Sequence, residues 1–197
     1  MSGEGGDRLG ELIGEGGEVL RRVEEERERA LKAIKEMGPS LKEALEGLSR
    51  DVGSLYGGLV RAIEELIGAL EDVREGRTAH ADWLDWFVMV QDVMGACDDL
   101  HKGLRMVIPT RAIVLWGWRP PDRWGSELVK GAFTCINALA PWLARCVAWV
   151  REERRPDDPR IQRLLGVLEA MAWKLAPLLH VDMGLFWKAL AGKAGGG

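Results

Sequence analysis

Side-chain amides are almost missing from this chain: asparagine occurs once and glutamine twice in 197 residues. Lysine is also scarce beside arginine, eight against nineteen. Few amides with abundant Arg and Glu fit a protein from a hot environment. Tyrosine occurs once and phenylalanine three times, whereas tryptophan occurs nine times. The aromatic surface is therefore mostly indole.

Cysteine is sparse too. Cys97, Cys135 and Cys146 are odd in number and lack short paired spacing, which argues against a disulfide scaffold or a zinc site. On one helix, Cys135 and Cys146 would lie about 16 Å apart, well past the roughly 7 Å a disulfide allows. Reduced thiols point to an intracellular protein. The start, "MSGEGGDRLGELIGEGG", has neither the basic beginning nor the apolar run of a secretory signal, so a cytoplasmic or intracellular location is expected. A net charge of −4 gives no general attraction to nucleic acid. No phosphate-binding glycine loop is present, and no cofactor is expected.

What is present suits a soluble domain, with 47% hydrophobic and 29% charged residues. A chain of this size buries roughly 70% of its unfolded surface without a metal or disulfide. Its composition changes near residue 78. Up to residue 77 it carries eighteen acids, twelve bases and one aromatic, Tyr56; beyond lie all nine tryptophans and a small positive excess. The expected fold class is all-α, a long helical hairpin or coiled-coil arm joined to a Trp-rich helical bundle. The arm covers 9–77 and the bundle 78–190, with a flexible N-terminus at 1–8 and a disordered tail at 191–197.

In the arm, "EVLRRVEEERERALKAIKEM" is rich in strong helix formers and stops at "GPS". Ser40 with Glu43 is a capping-box pattern that starts a second helix. Leu41, Leu45, Leu48, Val52, Leu55, Leu59, Ala62, Leu66, Ala69 and Val73 then alternate steps of four and three, the seam of a coiled coil or long bundle helix. Periodicity alone is silent on whether that seam closes within one chain or between chains. Gly47, Gly53, Gly57, Gly58 and Gly68 weaken the helix and suggest close approach by a neighbour.

In the bundle, "HADWLDWFVMVQDVMGACDDLHKGL" (80–104) mixes aspartates, histidines and tryptophans. Trp83, Phe87, Val90, Met94, Cys97, His101 and Leu104 form one apolar stripe, while Asp85, Asp92 and Asp99 share another face. Asp82 and Asp85 are the one pair here able to meet on a single divalent ion, with Glu71 or Asp72 as helpers. Two faces of an ordinary bundle helix is the favoured reading, and His101 is expected in the core or an interface. "VIPTRAIVLWGWRPPDRWGS" follows as a Pro-rich region with a β-like piece at Ile113–Trp116. Within it, Trp116, Trp118 and Trp124 alternate with Arg119 and Arg123, the composition of a binding hot spot.

Residues 131–150 match a membrane span in length, but Arg145, Asn137 and Pro141 oppose insertion and the apolar spacing fits a central soluble helix. Trp142 and Trp149 on one side leave peripheral attachment as an alternative. Asp158 followed by Pro159 starts a further helix that Pro177 ends or kinks. A short last helix would hold Phe186, Trp187 and Leu190.

The leading functional expectation is a non-enzymatic interaction or scaffold protein. It assembles through the 41–73 seam (Leu45, Leu48, Val52, Leu55, Leu59, Leu66), with the Trp116–Trp124 loop as a second contact surface. The partner would be a second copy, giving a homo-oligomer, or another helical protein of a larger complex. The alternatives are a membrane-peripheral or virion/envelope assembly protein, and a small all-helical Mg-dependent phosphohydrolase.

Overall fold

The computed structural model describes residues 4–36, 42–77, 83–116, 124–153 and 156–175. They form five helices: α1 (Glu4–Lys35), α2 (Lys42–Arg74), α3 (Trp83–Trp116), α4 (Trp124–Glu153) and α5 (Pro159–Trp173). No strand occurs among the described residues, and the fold is all-α. The first four helices run 30 to 34 residues, which makes each roughly 45–51 Å long.

Short connections favour antiparallel neighbours, and the residue pairings agree. Leu12 and Glu15 of α1 meet Trp142 and Arg145 of α4, and Arg8 pairs with Glu152. Between α3 and α4, Trp86 packs on Trp149 and His101 on Phe133. The backbone at Gly16 and Gly53 faces Ile67 and Leu31 across α1 and α2. Contacts run α1 to α2, α2 to α3, α3 to α4 and α4 back to α1, so four helices close a ring, and α5 packs on α4.

The arm is therefore part of the bundle. The 41–73 seam faces inward within one chain: Leu48, Val52, Leu59 and Leu66 are fully buried, Leu45, Ala62 and Ala69 nearly so, and Leu55 and Val73 partly. A second stripe, Tyr56, Ile63 and Leu70, is also fully buried. Helix α2 lies between α1 and α3, so both stripes have a neighbour to cover them.

Two local expectations change. Helix α1 begins at Glu4, inside the segment expected to be flexible. Helix α3 continues through Pro109 to Trp116, so Ile113–Trp116 is helical rather than β-like. A four-residue apolar run has no period that separates strand from helix, and no strand lies beside it to pair with among the described residues. Elsewhere the local signals match the structure. Asp158 caps α5, accepting the Arg160 amide at 2.8 Å, with Pro159 in the first turn. The chain leaves α5 at Trp173, ahead of Pro177. Ser40 and the segment holding Phe186, Trp187 and Leu190 lie outside the described residues.

Candidate functional site

The α3 stripe is buried from Phe87 through Val90, Met94, Cys97, His101 and Leu104, while Asp85, Asp92 and Asp99 are exposed. That division places the three aspartates on the face away from the core. Asp82 lies outside the described residues, and Asp85 stands in solvent. Asp72 is held by Arg77 at 2.7 Å rather than offered to an ion. Among the described residues, no three His, Cys, Asp or Glu side chains gather as a metal site. His101 sits edge-on to Phe133, with ring centroids 5.0 Å apart, while the neighbouring Asp98 pairs with Lys102 at 2.7 Å.

The thiols are core groups. Cys97, Cys135 and Cys146 are free and fully buried. Burial raises all three, and for Cys135 burial and then the Glu26 carboxylate push the thiol from 9.0 up to about 12. Tyr56 is raised by burial first, then by Cys135 and Glu26. These groups stay protonated at neutral pH, so none of them is a thiolate or phenolate nucleophile.

Helix α4 is the most enclosed element. It passes a length-and-composition test for a membrane span over Glu127–Glu153, yet 61% of that apolar window is buried inside the protein. Trp142 and Trp149, the tryptophans a peripheral reading would use, are both core residues. The Trp142 indole N–H donates to the Leu12 carbonyl at 2.8 Å, and Gly16 makes room for the ring. A Cβ at Gly16 would stand 2.7 Å from Trp142 Cζ2 and 2.9 Å from Ile67. Beside it, Arg145 reaches Glu15 at 2.6 Å. This α1–α4 joint escaped the sequence reading, because a lone glycine in a Gly-rich stretch carries no sign of what lies over it.

Of the expected partner-binding residues, Leu45, Leu48, Val52, Leu55, Leu59 and Leu66 are occupied by packing within the chain. Trp118, Arg119 and Arg123 lie outside the described residues, and only the backbone is described at Trp116 and Trp124. Helix α3 ends at Trp116 and α4 begins at Trp124. Among the described residues, large apolar side chains left outside are Leu84 and Val88, one turn apart and about half exposed, with Met106 and Trp173. No family model matches the chain, and no curated protein or solved structure matches it.

Proposed function

We propose that this is a non-enzymatic helical interaction protein whose contact surface is the Trp116–Trp124 segment, not the heptad seam. The observation that supports the change of surface is the burial of Leu48, Val52, Leu59 and Leu66 by the chain's own helices. A seam closed inside the molecule leaves no heptad face for a partner. Trp118, Arg119 and Arg123 at the junction of two long helices then carry the hot-spot chemistry, large aromatics with Arg. The partner is a protein, either a second copy or another helical chain.

A photo-crosslinking residue at Trp118, compared with the same residue at exposed Asp92 on the wet face of α3, tests this in purified protein and in cell extract. The expected result is a discrete protein adduct at 118, weakened by Arg119→Ala and Arg123→Ala and not seen at 92. Equal labelling at the two positions would reject the segment as the contact surface.

A further inference from the structure

A cavity of about 430 Å³ opens between α1 and α4, above the middle of α2. Its floor is Tyr56, Ala30, Leu128 and Gly131, and its rim is Arg29, Glu127 and Lys130. The rim charges are already matched, Lys130 with Glu127 at 2.9 Å and Arg29 with Glu26. The floor is different. Tyr56 is fully buried, and its phenol oxygen has no hydrogen-bond partner among the described residues. Buried polar atoms are normally satisfied, and an exception calls for an explanation.

Glycine at 131 gives the notch its shape. A Cβ there would lie 3.0 Å from Glu26 Oε2 and 3.4 Å from the Tyr56 oxygen. Both oxygens therefore face the same notch over the Gly131 backbone. Tyr56 keeps its proton because burial disfavours the phenolate, so it offers an O–H donor. Glu26, little exposed with Oε1 engaged by Arg29, offers Oε2 as an acceptor. Ala30 and Leu128 add an apolar wall. A donor and an acceptor side by side read a group that both accepts and donates. A hydroxyl does so with one oxygen, and a primary carboxamide with its C=O and N–H. The volume falls in the range of small-molecule sites.

We propose that this cavity binds a small neutral molecule that presents a hydroxyl or primary carboxamide to Tyr56 and Glu26 and lays an apolar body against Ala30 and Leu128. None of its lining residues belongs to the Trp116–Trp124 segment, and the site stands or falls without that contact surface.

The probes are benzamide and benzyl alcohol, with toluene as the apolar control, titrated into the full-length chain labelled with ¹⁵N and with ¹³C in tyrosine. Tyr56 is the chain's one tyrosine, so its ring is an unambiguous reporter. The expected result is saturable shifts at Gly131, Thr134 and the Tyr56 ring with at least one polar probe and not with toluene. Binding should weaken about tenfold in Tyr56→Phe, the loss of one hydrogen bond, and should be blocked in Gly131→Ala. Tyr56→Phe should unfold at the same or higher denaturant concentration than the parent, since it removes a buried donor without a protein partner. No saturable shift with either polar probe would overturn the proposal. So would unchanged affinity in Tyr56→Phe, or marked destabilisation by that variant, which would mean the phenol is already satisfied.

Discussion

The two hairpins of the bundle reach the same architecture with different chemistry. In α1–α2 the core is aliphatic, with Tyr56 its one aromatic, and ion pairs such as Arg21–Glu25 and Arg29–Glu26 line the outside. In α3–α4 the core holds Trp86, Phe87, Trp142 and Trp149. Leucine heptads pack as apolar knobs into holes on neighbouring helices; indoles need a fitted space and also somewhere for the N–H to go. The joint shows that difference most clearly. Trp142 from the aromatic hairpin lies over Gly16 of the aliphatic one and donates to its backbone. The aromatic half thus depends on a residue with no side chain in the other half.

Breaking the joint should have the largest effect. Trp142→Ala empties a fully buried indole site and should cost about 3–5 kcal/mol, read from urea unfolding monitored by circular dichroism. Alkali attacks the aliphatic–aromatic contact by another route. The Cys135 thiol ionises at its ordinary 9.0 in the unfolded chain but only at about 12 in the fold. The folded state therefore holds more protons between those values, so stability is intact below pH 9 and falls as pH rises toward 12. Unfolding midpoints measured across that window should decline less steeply in Cys135→Ala.

Gly16→Val forces side-chain atoms against Trp142 and Ile67 and should cost about 1–3 kcal/mol by the same urea measurement. Gly68 sharpens the contrast, because a Cβ there meets nothing within 4 Å. Gly68→Ala should stabilise by up to about 1 kcal/mol. The Glu15–Arg145 pair is part-exposed on both sides, so Glu15→Gln should cost under about 1 kcal/mol, and less in high salt. A larger loss that fell away in high salt would mean the joint is electrostatic rather than steric.

Much of this fold was legible in the sequence where its signals are local or periodic. The Asp158–Pro159 start, the α2 seam and the wet and dry faces of α3 all follow from spacing between neighbours in sequence. The seam's destination was not legible, because Leu48 or Leu59 is buried alike by its own chain or by a second one. Nor was the Trp142 site, since an indole 126 residues from its glycine leaves no trace in either neighbourhood. Ile113–Trp116 was misread because four apolar residues are too few to show a helical period. The cavity over Tyr56, Glu26 and Gly131 is assembled from residues of three helices, α1, α2 and α4. Only the singularity of Tyr56 in the composition, and its place on the second α2 stripe with Ile63 and Leu70, hinted at it.

The central claim is that α1 returns to α4 within one chain and closes the ring. Arg8 and Glu152 are surface residues paired across that closure, while the three native thiols are buried and protonated. The decisive measurement is bridging by a short bismaleimide in Arg8→Cys/Glu152→Cys, analysed by denaturing mass spectrometry in dilute solution. The account predicts a cross-link at the mass of one chain. A bridge found only at the mass of two chains would contradict it and return the heptad seam to an intermolecular role.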